Sequence, residues 1–299
     1  MGLYSDEFYA LCRSVSNQNT RRGSKMGLLD GKVALIFGVA NHRSIGWGIA
    51  KALHEAGATI AFSIFSEDLR RRVEPLAQEV NAEFLEACDV NDDTDLDATF
   101  EKFKQKYGKL DILVHSVAYG PREDLGGRFV DISREGFKIA MESSVYSLIA
   151  MSKRAEPMML EGSSIINMTF YAAEKYIPDY NVMAIAKAAL ELTTKYLAVD
   201  MGPKGIRVNS ISAGPIKTLA AAGIPGFRDL LKQFQTVTPL QEPITIEGVG
   251  ETAVFLASDM ARLVTGEILH VDGGFNVLGM TATKEQLAIV NAMGDGDQS

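Results

Sequence analysis

Residues 32–53, "KVALIFGVANHRSIGWGIAKAL", run from an apolar stretch through a glycine-bearing turn into a helical pattern. The apolar residues Val33 to Phe37 stop at Gly38, and Ile45, Ile49 and Leu53 then recur at the four-residue spacing that lines one helix face. The stretch reads as strand, turn and helix. The same order returns along the chain: "ATIAFSI" precedes the polar stretch 67–81, "AEFLEACDV" precedes 93–107, "LDILVHS" precedes 133–159, "SIINM" precedes 180–201, and "IRVNSIS" follows. Short apolar strands alternating with helices predict an α/β fold, a doubly wound parallel sheet of Rossmann-like form with helices on both faces. Ligands of such a sheet bind beyond the carboxyl ends of its strands.

The chain has 299 residues, 46% of them hydrophobic, enough for one full-sized core, and no repeat or low-complexity linker divides it. Residues 26–280 are expected to form a single domain. Residues 1–25, which end just before the second methionine Met26, read as an extension outside the fold, and the "GDGDQS" end of the 281–299 tail has a disordered composition. A formal charge of -8 argues against a nucleic-acid or anionic-membrane surface, since both need a dense positive field. Cys12 and Cys88 are far apart and outside any ligand-like spacing, so no disulfide framework and no metal site are expected. A reducing cytoplasm suits that composition. No apolar run reaches membrane-spanning length, and the first residues lack the order of a signal peptide.

The turn "GVANHRSIGWG" places Gly38, Gly46 and Gly48 between the first strand and its helix, where a dinucleotide pyrophosphate would meet free backbone N–H groups. It departs from the usual G-x-G-x-x-G spacing, with Ser44 able either to cap the helix or to donate to phosphate. Glycines serving only tight packing are the alternative. At the end of the second strand, where NAD enzymes usually carry a ribose-binding carboxylate, stands Phe65. No basic residue adjoins it to hold a 2′-phosphate, and Arg70, Arg71 and Arg72 come a helical turn or more later, which favours NAD over NADP.

Residues 169–190, "TFYAAEKYIPDYNVMAIAKAAL", contain two tyrosine–lysine pairs. Pro178 is a poor helix-interior residue, so the long helix is expected to begin just after it, leaving Tyr171 and Lys175 outside and Tyr180 and Lys187 inside. Seven residues apart, the second pair shares one face at about 10 Å along the axis. A lysine so placed can bind nicotinamide ribose hydroxyls and, by its charge, favour the phenolate of a nearby tyrosine. The competing possibility is a helix-start tyrosine and a solvated lysine.

The segment "AKAALELTTKYLAVDMGPKGIRVNSISAGPIKT" resembles the short-chain dehydrogenase/reductase superfamily. Most members place a tyrosine four residues before the lysine; here that position is Met183, and the tyrosine lies a turn further back at 180. With "GVANHRSIGWGIA", "HSVAYGP", "GFKIAMESSVYS" and "AGPIKTLAAAGI", this displaced pattern resembles the NADH-dependent bacterial enoyl-[acyl-carrier-protein] reductases of type II fatty acid synthesis, from about Met26 to Met280. The resemblance implies reduction of the 2,3 double bond of an enoyl thioester, with hydride passing from nicotinamide to C3 and Tyr180 donating to the enolate oxygen. In an enoyl thioester that oxygen lies two carbons beyond the hydride acceptor. A donor moved one turn along the helix suits the longer geometry.

By position, the family's cofactor contacts fall on Gly38, Ser44, Ile45, Phe65, Asp89, Val90, Val117, Lys187, Ile216, Lys217, Thr218, Leu219 and Ala220, with NAD as the cofactor. Asp89 is expected to accept from the adenine amino group, and Val117 and Ile216 to wall the nicotinamide region. Core packing at strand ends is the other role open to Val90, Val117 and Ile216. Substrate contacts fall on Gly120, Phe170 and Tyr180, with Tyr180 and Lys187 the catalytic pair. Many relatives carry a second tyrosine where this chain has Phe170, which cannot donate a proton; the mycobacterial enoyl reductases also carry phenylalanine in this region. The segment 219–234, "LAAAGIPGFRDLLKQF", resembles the family's mobile substrate-binding helix, and its Arg228 and Lys232 are candidates to meet an acidic acyl carrier protein. A homotetramer is implied as well. The rival readings are a short-chain reductase of ketones or hydroxyls, against which Met183 speaks, and a catalytically silent nucleotide sensor.

Overall fold

The computed structural model describes residues 27–218 and 227–280, without the side chains of 227–230 and 233. Seven strands form one sheet: β1 (Val33–Phe37), β2 (Thr59–Ile64), β3 (Leu85–Ala87), β4 (Ile112–His115), β5 (Ser164–Thr169), β6 (Arg207–Ala213) and β7 (Ile268–Val271). Their spatial order is β3-β2-β1-β4-β5-β6-β7, and every neighbouring pair is parallel. The Rossmann-like expectation holds. Strand β7 was not anticipated: "ILHV" is short, and its place beside β6 is a long-range pairing.

Helices are α1 (Ile45–Glu55), α2 (Arg70–Glu79), α3 (Asp93–Tyr107), α4 (Arg134–Met141), α5 (Ser147–Ala155), α6 (Asn181–Met201), α7 (Phe227–Val237) and α8 (Ile246–Ala257). Alternation along each strand sends successive side chains to opposite faces. Leu35 and Phe37 of β1 therefore join the core beneath α3, α5 and α6, with Phe100, Met151 and Leu190. Ala34 and Ile36 face the other way, toward Ile49 of α1, Val73 of α2 and Leu256 of α8. Local chemistry sets several ends: Asp92 accepts from Thr94 N at 2.7 Å to open α3, and Gly108 closes it in the left-handed region at φ 71°.

The helical stretch expected over 133–159 is broken. A π-helical turn, Glu142–Tyr146, separates α4 from α5 and widens the ladder beside the carboxyl end of β4. Helix α6 begins at Asn181 rather than directly after Pro178, which makes Tyr180 the residue at its N-cap position.

Candidate active site

Strand order reverses direction between β1 and β4, and the crevice at their carboxyl ends is where a doubly wound sheet binds a dinucleotide. Gly38 follows β1 with φ 97°, and a Cβ there would stand 2.0 Å from the Ser116 carbonyl oxygen. Both the backbone conformation and the approach of the β4 loop require glycine. Gly48 does a different job. Its missing Cβ lets α1 lie against α8, since a methyl would meet the Ile246 carbonyl oxygen at 2.3 Å. Tight packing thus accounts for Gly48, while Gly38 answers to both its backbone conformation and the approach of the β4 loop.

Ser44 occupies the N-cap position of α1, but its hydroxyl makes no cap bond to the helix. Its Oγ accepts instead from Ala40 N at 3.0 Å and Asn41 N at 3.2 Å, so the turn is held from within while the helix keeps its first-turn N–H groups free of a side-chain cap. The capping expectation for Ser44 is corrected, and the geometry fits an anion at the head of α1. Ile45, the next residue, packs partly buried against the core on the α1 side.

At the outer end of the crevice Phe65 is 60% exposed, an apolar ring presented to solvent just after β2. Arg70 does not reach toward it: its guanidinium is held by Glu67, at 2.8 Å through Nη2, and by the Leu85 carbonyl at 2.9 Å. Arg71 and Arg72 are exposed. After β3, Asp89 Oδ1 accepts from Asn91 N and Asn91 Nδ2 at 3.0 and 2.9 Å, and Val90 is buried in the core. The residues present fit a dinucleotide with an unphosphorylated ribose.

The two tyrosine–lysine pairs are separated by the fold. Tyr171 sits in a 3-10 turn, Tyr171–Ala173, buried, with its hydroxyl donating to the Asn276 carbonyl at 3.2 Å and its ring against His270 and Phe275. Lys175 is exposed. Tyr180 enters α6 behind Asp179, which takes a left-handed φ of 57°, and the helix head is fixed by Asn181 Nδ2 donating to the Gly126 and Gly127 carbonyls at 2.9 and 3.2 Å. Lys187 turns inward and its Nζ donates to the Met168 carbonyl at the end of β5, 2.7 Å away.

Among the described residues nothing hydrogen-bonds the Tyr180 hydroxyl. Burial pushes that hydroxyl well above the ordinary phenol range, and Lys187 does not offset the effect. Desolvation is the effect that acts on Tyr180 in this environment, and it favours the protonated donor over the phenolate. Burial drives the Lys187 ammonium the other way, down to about 8, with the Glu191 carboxylate opposing the shift. Position 183 is taken out of the chemistry by packing, because buried Met183 fills the space beside Gly120, where a Cβ would come within 3.1 Å of its Sδ.

Phe170 lies across from Tyr180, ring centroids 5.0 Å apart. Val117, half-buried, packs on the α6-side core, and Ile216 on the opposite one. Lys217 is exposed, and Thr218 N donates to the Ile216 carbonyl at 2.8 Å. Leu219 and Ala220 lie outside the described residues, as do residues 1–26 and 281–299 and the side chain of Arg228. Lys232 is exposed on α7, whose Phe234 is buried and stacks on Phe275 at 4.2 Å.

Two buried ionisable groups that act on Lys187 or feel its charge went unanticipated. His115, at the end of β4, has Nε2 2.8 Å from Ser147 Oγ. That hydroxyl donates to the Ser143 carbonyl at 2.8 Å, so Nε2 carries the ring proton. Burial and the Lys187 charge hold His115 down near 3, and it stays neutral. Glu191 is the other. Its signal was a carboxylate four residues after Lys187 on the inward face of a helix. No group of three or more His, Cys, Asp or Glu side chains is placed to hold a metal ion among the described residues, and no helix there is long and apolar enough to cross a membrane.

Residues 38–276 match the family described as "Enoyl-(Acyl carrier protein) reductase". The chain belongs to that family. Enoyl-[acyl-carrier-protein] reductase [NADH] 1 of Rhizobium meliloti is 52% identical over 256 residues, 86% of this chain and 94% of the relative. The crystal structure of enoyl-[acyl-carrier-protein] reductase (NADH) from Aquifex aeolicus is similar at 50% identity, with a TM-score of 0.83 over 85% of this chain and 100% of that one. The Bacillus cereus enoyl-acyl carrier protein reductase, solved with NADP+ and indole naphthyridinone, is similar at 47% identity and a TM-score of 0.83, again over 85% and 100% of the two chains. Both enoyl reductase structures superpose over essentially their whole length.

Proposed function

We propose that this enoyl reductase family member reduces the 2,3 double bond of trans-2-enoyl-acyl-carrier-protein thioesters in type II fatty acid synthesis. The observation that carries the reading is the Tyr180 hydroxyl at the head of α6, protonated and without a partner among the described residues, on the helix that also carries Lys187. Bound NADH would supply the hydride. Tyr180 donates a hydrogen bond, and then its proton, to the oxygen of the developing enolate, a contact that strengthens as negative charge builds. Phe170 offers that end of the substrate an apolar wall, and Gly120 leaves room beside Met183. Lys187 holds the ribose hydroxyls of the nicotinamide nucleotide.

Supporting the cofactor assignment, Gly38, Ser44 and Ile45 surround the head of α1, Phe65, Asp89 and Val90 mark the adenosine end, and Val117 with Ile216, Lys217 and Thr218 follow β4 and β6. Leu219 and Ala220 complete the assignment by position. The site works as a homotetramer in the cytoplasm: Phe137, Tyr146, Ile149, Leu192, Tyr196 and Val199 expose apolar side chains along α4 to α6, an apolar surface of the kind that subunit contacts cover. Arg228 and Lys232 of α7 meet the acidic carrier protein. Residues 1–25 are an extension whose removal leaves folding intact, and 26–280 form the catalytic domain.

The test is NADH and NADPH oxidation, followed by absorbance, with a crotonyl thioester and with ketone substrates in parallel. Enoyl reduction without ketone reduction is expected. Ketone reduction alone would return the chain to the wider short-chain reductases.

A further inference from the structure

We propose that Glu191 is a positioning residue of the cofactor site, the buried counter-ion that keeps the Lys187 ammonium charged where NADH binds. The inference rests on the NADH-binding role given to Lys187 above. Lys187 and Glu191 are four residues apart on α6 and so share one face, the inward one, where they are 5% and 9% exposed. Two consecutive residues of β5 hold their heads: the Met168 carbonyl accepts from Lys187 Nζ at 2.7 Å, and Thr169 Oγ1 donates to Glu191 Oε1 at 2.7 Å. The sheet end thus holds an ammonium and a carboxylate on consecutive residues of β5, in the space between β5 and α6. Nothing in the reaction assigned to Tyr180 requires that carboxylate.

A buried ammonium without an opposite charge loses its proton, because desolvation penalises the charged form. Around Lys187 the charge balance is set by few groups. His115, on β4, is neutral, the Met168 carbonyl supplies only a dipole, and Glu191 is the charge that raises the lysine against burial. Glu191 is in turn faced by Thr169 from β5, by His270 from β7, by Lys195 on its own helix and by Glu174 beyond the 3-10 turn. Thr169, His270 and Lys195 favour its carboxylate, while burial and Glu174 oppose it. Glu174 is itself engaged by His270, Nε2 to Oε1 3.1 Å.

The decisive variant is Glu191→Gln, which keeps an oxygen to accept from Thr169 and removes only the charge. The readout is the dissociation constant of NADH for the full chain, titrated between about pH 6 and pH 9. Wild-type affinity should fall as pH rises through about 8, where Lys187 loses its proton. In Glu191→Gln the fall should move about one to two units toward acid, so that NADH binding at neutral pH weakens about two- to tenfold while binding near pH 6 changes by no more than about twofold. An unshifted midpoint in a folded Glu191→Gln protein overturns the proposal. Glu191→Asp should restore part of the wild-type profile even if the Gln variant folds poorly, and a Glu191→Asp midpoint displaced as far as in Gln would likewise count against a counter-ion. Lys187→Arg should remove the alkaline fall altogether, since arginine keeps its proton throughout. A wild type that binds no NADH at any pH overturns the functional reading itself, whereas normal binding with an unshifted Gln profile overturns this inference alone.

Discussion

The rings of Phe170 and Tyr180 meet at 67° with centroids 5.0 Å apart, an edge-to-face pair at the mouth of α6. Phe170 brings no hydroxyl to this contact, so Tyr180 is left as the donor. Tyr180→Phe keeps the ring pair and removes the hydroxyl alone. Turnover should drop about 10²- to 10³-fold, the scale for losing one oxyanion donor, while NADH affinity and melting temperature stay near wild type. Steady-state kinetics beside NADH titration checks this, and a loss confined to KM would contradict the assigned role.

Tyr171 offers the control. Its hydroxyl is committed to the Asn276 carbonyl and its ring to Phe275, so Tyr171→Phe should cost about 0.5–1.5 kcal/mol of stability, the net value of a hydrogen bond, with little effect on turnover. Denaturant unfolding and kcat on the same preparation separate the two effects.

Holding Lys187 charged inside the protein has a stability consequence. Its folded value of about 8 lies below the ordinary lysine 10.5, so below about pH 8 both folded and unfolded chains carry the proton and the full penalty is present. Between about 8 and 10.5 the unfolded chain holds more protons than the folded one, and stability rises with pH relative to a chain lacking the group. At about 1.4 kcal/mol per unit the penalty is on the order of 3 kcal/mol, less about 1 for the bond to Met168. Lys187→Met combined with Glu191→Gln, which leaves no unpaired buried charge, should therefore be more stable than wild type at pH 7 by about 1–2 kcal/mol, converge toward it by about pH 10, and bind NADH poorly. Equal stability across that range would argue against a desolvated ammonium.

Gly48→Ala should destabilise without touching the cofactor. The added methyl meets the Ile246 carbonyl oxygen, which belongs to backbone and cannot swing aside, so α1 and α8 must separate. A loss of about 1–3 kcal/mol is expected from overpacking. Thermal melts in the presence and absence of NADH provide the measurement.

Cofactor choice follows from Phe65 and Arg70 together. An NADPH phosphate near the Phe65 ring would give up water without gaining a charged partner, because Arg70 is already engaged by Glu67 and the Leu85 carbonyl. NADH should be preferred by about ten- to a hundredfold in kcat/KM, and Arg70→Ala should leave that ratio unchanged. The Bacillus cereus relative solved with NADP+ makes the comparison worth running directly. An NADPH preference abolished by Arg71→Ala or Arg72→Ala would show that the exposed arginines set the choice.

Much of this protein was legible along the chain because its decisive signals are local. Five apolar residues ending at Gly38, followed by apolar positions at helical spacing, define a strand, turn and helix whatever lies beside them. Tyr180 and Lys187 could be paired from sequence because one helix carries Lys187 and is headed by Tyr180, so their relation is set by the helical repeat. The protonation of those groups is a property of surroundings that neither residue's neighbours in sequence provide. Desolvation at the head of α6 favours Tyr180 as a protonated donor, while burial between β5 and α6 lowers Lys187 and holds Glu191 one turn further along the same helix. Distant contacts likewise divided the glycines of one turn, Gly38 answering to Ser116 and Gly48 to Ile246, and placed the short β7 against β6. Periodicity along a chain specifies what an element is, whereas desolvation, close approach and strand pairing depend on which element arrives next to it, and that only the folded chain decides.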